Sequence, residues 1–159
     1  MRVNQFNMKN IFLSIIMFTL AIFNSSESIG QKNTPVLNHI AHYVVNLKAS
    51  TEFYMNVIGL DSIPEPFHDG RHTWLSIGCK SHLHLISGAK ETGIKDKNSH
   101  LCFSVKSVSD FIKVLDKSKI EYENWAGEKQ AVTNRVDGVK QIYFKDPDGY
   151  WLEINDAKE

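Results

Sequence analysis

Two short apolar stretches decide the fold of this chain: HIAHYV at residues 39–44 and HLCFSV at residues 100–105. Each opens with a histidine, and each is followed further along the chain by a second apolar strand with a polar residue inside it. Those second strands are HLHLI at residues 82–86 and WLEIN at residues 151–155. Aligning the copies pairs His39 with His100 and His84 with Glu153, which indicates an internal duplication.

Both copies show the same order of predicted elements, β-α-β-β-β. The first copy has strands at 38–45, 60–63, 73–77 and 82–86 and a helix at 49–58 that Gly59 ends. The second copy has strands at 100–105, 120–125, 139–144 and 150–155 and a helix at 109–117. Segment 127–138 is predicted to be a polar loop, and Asp146-Pro147-Asp148-Gly149 turns the last hairpin. The modules are bounded at 37–87 and 98–156, within a domain at 36–156.

Strand alternation separates polar from apolar side chains. Because side chains two apart share a face, His39, His84, His100 and Glu153 lie opposite the apolar residues that pack the core. His42 breaks this pattern, since it stands where an apolar side chain belongs. We interpret it as a partly buried packing histidine.

The first 30 residues have the order of a secretory signal peptide. Arg2 and Lys9 precede an apolar run at 11–23, and a polar stretch follows at 24–31. The run is shorter than the ~20 residues of a membrane-spanning helix. The sequence therefore predicts cleavage after export to a secreted or periplasmic location; the alternative is an uncleaved N-terminal anchor.

Charge and cysteine content exclude several classes of function. The 18 basic and 18 acidic residues give 18 − 18 = 0, and removal of Arg2, Lys9 and Glu27 leaves a net charge of −1. Nothing indicates nucleic-acid binding or a membrane-surface patch. Cys79 and Cys102 could form a disulfide in an exported protein, but one lies in a predicted turn and the other in mid-strand.

Three segments carry a resemblance to a known family. They are HIA at 39–41 running into STEFYMNVIGL at 50–60, SHLCFSV at 99–105, and FKDPDGYWLEI at 144–154. From about Leu37 to Asp156 the chain resembles the vicinal oxygen chelate superfamily, the group of glyoxalase I, bleomycin-resistance proteins and ring-cleaving dioxygenases. The resemblance implies an α+β fold in which two βαβββ modules form a curved mixed sheet around a divalent metal.

Carried over residue by residue, the resemblance implies four metal ligands: His39, His84, His100 and Glu153. Glyoxalase-like members usually have a carboxylate at the position of His84, so this site is richer in nitrogen. Such ligands favour zinc, with nickel or iron as alternatives. Glu153 is also the expected general base. A reduced set without His84, which would then lie outside the ligand sphere or act as an acid or base, is a second interpretation.

Three further side chains are candidates for substrate binding. Tyr43 shares the face of His39, and Arg71 and Arg135 stand beside predicted loops where each could bind an anionic group. The alternative for both arginines is an ordinary solvated loop charge.

Several functions are compatible with this pattern. The leading hypothesis is a metal-dependent lyase or isomerase resembling glyoxalase I, which stabilises the enediolate of a small hydroxycarbonyl compound. An iron(II) extradiol-type dioxygenase would use His39, His100 and Glu153 alone. A metal-free binding protein of the bleomycin-resistance kind and a fosfomycin-type thiol transferase are further alternatives. The sequence leaves open whether the site lies within one chain or across a homodimer.

Overall fold

Each half of the chain folds into the same succession of elements. The computed structural model describes residues 34–78 and 80–158, so the predicted signal peptide and Cys79, one of the two cysteines considered for a disulfide, lie outside the described residues. The first half contains β1 (His39–Val44), α1 (Leu47–Phe53), β2 (Ser62–Ile63), β3 (His72–Ser76) and β4 (His82–Ser87). The second half contains β5 (His100–Ser104), α2 (Val108–Lys117), β6 (Thr133–Asn134), β7 (Lys140–Lys145) and β8 (Trp151–Asn155).

The strands form two four-stranded mixed sheets, ordered β1-β4-β3-β2 and β5-β8-β7-β6. In each sheet the first strand of the module runs parallel to its last strand, and the remaining pairs are antiparallel. The register places Ala41 beside His84 in one sheet and Cys102 beside Glu153 in the other. The predicted α+β class and the duplication are confirmed, with one sheet for each module.

The helices begin at side-chain caps. Asn46 accepts a hydrogen bond from the backbone N–H of Ala49, and Ser107 accepts one from Asp110, which satisfies an otherwise free N–H group at each helix start. The first helix is not uniform, because α1 continues as a π-helical turn, Tyr54–Ile58. It ends at Gly59, whose φ of 85° suits a residue without a Cβ atom.

One predicted strand is wrong. Segment 120–125 contributes only two isolated bridges, in which Glu123 pairs with Tyr143 and with Lys129. Asn124 explains the interruption, because its side chain exchanges hydrogen bonds with the backbone N–H and the carboxylate of Glu128. Such local bonds compete with a strand ladder and curl the chain. The short strand β6 forms instead within the segment predicted to be a loop.

The buried core confirms the alternation of the strands. Leu83, Leu85, Leu152 and Ile154 are fully buried on the faces that the helices cover. Phe144 links the two halves, because its ring lies 6.4 Å from that of Phe53, measured between centroids. The helix-covered faces thus supply the core, and the opposite faces carry the predicted ligands. None of the helices within the described residues has the length and apolar character needed to cross a bilayer.

A buried polar junction also joins the two halves. Tyr54 donates its hydroxyl hydrogen to Asp146 at 2.9 Å and lies 3.1 Å from Nδ1 of His42. The His42 ring stacks on Tyr150 with centroids 3.8 Å apart. Asp148 accepts a further hydrogen bond from Ser50 at 2.5 Å. His42 is therefore a packing histidine, as the sequence predicted.

This junction predicts a pH-dependent effect of Asp146→Asn on stability. Burial lowers the pKa of His42 from 6.5 to about 4 and raises the pKa of Asp146 from 3.8 to about 6. The contribution of His42 to the free energy of unfolding is fully present above pH 6.5 and is lost as the pH falls through 4. The contribution of Asp146 is present below pH 3.8 and is lost as the pH rises through 6, so the two oppose each other between these limits.

Asparagine removes only the second contribution. When the pH is lowered from 7 to 4, the protonation of Asp146 stabilises the wild type but not the variant. We therefore expect the free energy of unfolding of the variant to fall by about 2 kcal/mol relative to that of the wild type over this change. Urea denaturation at both pH values measures this, with the exposed Asp116→Asn as control. A difference between variant and wild type that stays constant with pH would contradict the assignment.

Candidate metal centre

His39 and His84 form the first pair of predicted ligands. They lie on the helix-free face of neighbouring parallel strands, and their ring centroids are 5.5 Å apart. His39 Nδ1 lies 2.8 Å from the side-chain oxygen of Asn38. An amide oxygen only accepts hydrogen bonds, so Nδ1 carries the hydrogen and, in the neutral ring, Nε2 keeps its lone pair. This tautomer is the one expected of a metal-binding histidine.

His84 offers a buried nitrogen without a partner. Among the residues that the structure describes, its Nε2 atom makes no hydrogen bond, and the side chain is only 7% exposed. Burial, followed by the charges of His39 and His72, lowers the pKa of His84. The ring is therefore neutral at neutral pH, as a metal ligand must be. Trp74 and Phe67 enclose it, with ring centroids 4.4 and 6.0 Å away.

His100 and Glu153 form the second pair. Nε2 of His100 lies 3.2 Å from Oε2 of Glu153. Nδ1 of His100 lies 2.7 Å from the carbonyl oxygen of Lys97 and must donate to it, which leaves a lone pair on Nε2 of the neutral ring. A lone pair facing a carboxylate oxygen at this distance is repulsive unless a proton or a cation stands between them. A protonated His100 ring or a cation bound between the two atoms would each satisfy this geometry.

Glu153 is held by a network that the sequence did not predict. Tyr143 donates its hydroxyl hydrogen to Oε2 at 2.6 Å and accepts a hydrogen bond from Gln141. Asn155 donates to Oε1 at 2.9 Å. Burial by itself would raise the pKa of Glu153, but the hydrogen bonds from Tyr143, Asn155 and Cys102 hold it below its usual value. Glu153 is thus a fixed carboxylate at neutral pH.

Cys102 belongs to this network as a neutral thiol. Burial, followed by the charge of Glu153, raises the pKa of the Cys102 thiol to about 12. The thiol hydrogen is therefore retained at neutral pH, and the Cys102 sulfur accepts a hydrogen bond from Nδ2 of Asn155 at 3.1 Å.

The two pairs are equivalent within their sheets but do not form one group in a single chain. Across residues 34–78 and 80–158, no set of three or more histidine, cysteine, aspartate or glutamate side chains is arranged to hold a cation. One chain therefore presents two half-sites, His39 with His84 and His100 with Glu153.

The predicted substrate-binding residues lie at the margins of these faces. Tyr43 is half-exposed on β1, and the hydroxyl of Tyr150 accepts a hydrogen bond from its backbone N–H. Arg71 donates to the carbonyl of Ser87, and Arg135 pairs with Asp137. Their predicted contact with a substrate stays a prediction.

Sequence reasoning missed Trp74 and Tyr143, the aromatic residues that stand opposite His84 and Glu153. The register pairs Trp74 with His84 and Tyr143 with Glu153, so they occupy the same position in the two modules. Both lie on the polar face of a strand by simple alternation, which could have identified them. What the sequence lacked was the register between neighbouring strands.

Comparisons with known proteins agree with the fold. The model of the glyoxalase/bleomycin resistance protein/dioxygenase superfamily matches residues 36–154. Glyoxylase I 4 of Arabidopsis thaliana is 29% identical over 125 residues, covering 74% of this chain and 68% of that protein. Metallothiol transferase FosB of Staphylococcus haemolyticus is 27% identical over 130 residues, covering 75% and 81%.

Solved structures share the architecture. A glyoxalase/dioxygenase from Nostoc punctiforme superposes with a TM-score of 0.65 at 22% identity, over 82% of this chain and 97% of that one. The fosfomycin resistance protein FosX from Listeria monocytogenes gives 0.64 at 20% identity, over 79% and 95%. At these identities the likeness concerns the fold alone.

Proposed function

Because the chain belongs to the glyoxalase/bleomycin resistance protein/dioxygenase superfamily, we propose that it is a metal-dependent lyase or isomerase of small hydroxycarbonyl compounds. The observation that carries the proposal is the donor set of the two half-sites. In the neutral rings Nε2 of His39 and of His100 would each offer a lone pair, Nε2 of His84 is buried without a partner, and Glu153 is a fixed carboxylate. Three imidazoles and one carboxylate suit zinc, with nickel or iron as alternatives.

The complete centre would join the half-sites of two chains. His39 and His84 of one chain would face His100 and Glu153 of a second copy, and a two-fold axis would create two equal centres. This arrangement supplies four ligands although no group of three exists among the described residues of one chain. The active species is therefore proposed to be a homodimer.

The proposed reaction moves a proton between neighbouring carbon atoms of the substrate. A bound divalent cation would stabilise the negative charge that develops on the substrate oxygens. The Glu153 carboxylate would accept the proton from the hydroxyl-bearing carbon next to the carbonyl and return it to the former carbonyl carbon, while the hydroxyl proton of the substrate moves to the former carbonyl oxygen. Tyr143 and Asn155 keep this carboxylate deprotonated and oriented before the reaction. The carbonyl oxygen of Lys97 orients the His100 ring by accepting a hydrogen bond from its Nδ1.

Exchange of substrate hydrogen with solvent tests this proposal. Zinc-loaded protein is incubated in D2O with glycolaldehyde, lactaldehyde or dihydroxyacetone, and proton NMR follows the C–H signal next to the carbonyl. We expect metal-dependent loss of that signal with the wild type and with the exposed control Glu121→Gln, and none with Glu153→Gln. Absence of exchange with zinc, nickel and iron alike would rule out the proposed reaction.

Thiol transfer is the second candidate, because the relatives include FosB at 27% identity over 81% of its length. The same incubations with an added low-molecular-weight thiol separate the two reactions. Consumption of the thiol without hydrogen exchange would favour the transferase, and uptake of oxygen with a catechol would favour a dioxygenase.

We also propose that the protein works after export. The order of charged, apolar and polar segments in residues 1–31 supports this, and it would place the enzyme away from cytosolic thiols. The mature protein is expected to start near Gln31 or Lys32. An intact mass that retains Met1 would contradict cleavage.

A further inference from the structure

The indole of Trp74 presents a buried N–H group without a hydrogen-bond partner. Within the described part of the chain, only Nε1 of Trp74 and Nε2 of His84 are buried side-chain nitrogen or oxygen atoms without one. The two residues pair directly across β3 and β4, and their ring centroids are 4.4 Å apart at an interplanar angle of 82°. Both unpartnered atoms therefore belong to the same cluster on the helix-free face.

The two atoms need different partners. The proposed cation accounts for Nε2 of His84, which has a lone pair to offer. An indole N–H is only a donor and cannot bind a cation. Burying such a donor without an acceptor costs about 1–3 kcal/mol, so the site is complete only when something supplies an oxygen to Trp74.

The second module shows how this position is used. Tyr143 occupies the place of Trp74, and its hydroxyl donates to the ligand that stands opposite, Glu153. In the first module the opposite ligand is His84, and no hydrogen bond joins it to Trp74. The donor at this position is therefore left available for a molecule that enters the site.

The other tryptophans do not share this feature. Nε1 of Trp151 already donates to the carbonyl of Lys95 at 3.1 Å. Trp125 is half-exposed, so water can accept its hydrogen. The Trp74 ring, in contrast, packs between His82 and Phe67, with centroids 5.6 and 6.3 Å away.

We propose that Nε1–H of Trp74 donates a hydrogen bond to an oxygen of the substrate, which makes Trp74 a substrate-binding residue of the proposed centre. This inference rests on the proposed function. It narrows the substrate to compounds that carry a carbonyl, carboxylate or hydroxyl oxygen beside the oxygens held at the metal. An ammonium group at that place has no acceptor and would leave the indole hydrogen unpaired.

Indole NMR signals test the inference directly. The three tryptophan side chains of 15N-labelled, zinc-loaded protein give three indole N–H peaks, which Trp74→Phe, Trp125→Phe and Trp151→Phe assign. Acetohydroxamate, a chelator with two adjacent oxygens, serves as the probe. We expect its binding to move the Trp74 peak downfield, as a new hydrogen bond does, while the peaks of Trp125 and Trp151 stay in place.

Calorimetry supplies the second measurement. Trp74→Phe keeps an aromatic ring and removes the N–H group, so the affinity for acetohydroxamate should fall about 5- to 20-fold. Zinc affinity should change by less than about twofold, and Trp125→Phe should change neither value. If the probe binds and the Trp74 peak does not move, the inference fails while the metal centre stands. If the wild type binds none of zinc, nickel and iron, the proposed function fails and this inference fails with it.

Discussion

Glutamine in place of Glu153 is expected to lower the affinity for zinc at least about 100-fold. The substitution keeps the size of the side chain but removes the negative charge that faces His100 Nε2 at 3.2 Å. Tyr143 and Asn155 each donate a hydrogen bond to one carboxylate oxygen of Glu153. In glutamine an NH2 group replaces one of these oxygens, so one of the two donors faces another donor. Competition titration against a zinc chelator measures the change.

Two matched variants show whether the effect belongs to the ligand. Tyr143→Phe removes the hydrogen bond to Glu153, together with the one that the hydroxyl accepts from Gln141, and leaves the carboxylate in place, so it should weaken zinc binding about 10-fold, within the range typical of groups that orient a ligand. Glu121→Gln changes an exposed carboxylate and should have no effect. Equal zinc affinity of Glu153→Gln and the wild type would remove Glu153 from the centre.

Strand alternation allowed much of this architecture to be predicted. The rule requires only that every second side chain of a strand lies on the same face of the sheet. It assigned His84 and Glu153 to the face opposite the core without any information on the neighbouring strands. The same rule identified His42 as an exception, and the junction with Tyr54 and Asp146 gives the physical reason. Helix starts at Asn46 and Ser107 lie within a few residues of the predicted bounds.

The features that escaped prediction depend on contacts between distant segments. The turn at Asn124 replaced a predicted strand because two side chains, Asn124 and Glu128, bond to each other. The partners of His84 and Glu153, Trp74 and Tyr143, depend on strand register. Periodicity also assigns a side chain to a face without placing one sheet relative to another, so it could not show that the ligands form two pairs.

The central claim is that the metal centre combines His39 and His84 of one chain with His100 and Glu153 of another. Exchange of half-sites between variants tests it. His84→Ala removes a ligand from the first pair, and Glu153→Ala removes a ligand from the second pair. Each homodimer then lacks one ligand in both of its centres and should not bind zinc tightly. In a mixed dimer both defects fall in the same centre, and the second centre keeps all four side chains.

The measurement is the zinc content of such a mixed dimer, purified through two different affinity tags on co-expressed chains. We expect one tightly bound zinc per mixed dimer and two per wild-type dimer. A mixed dimer without zinc, or a wild-type monomer that binds one zinc tightly, would contradict a centre shared between chains.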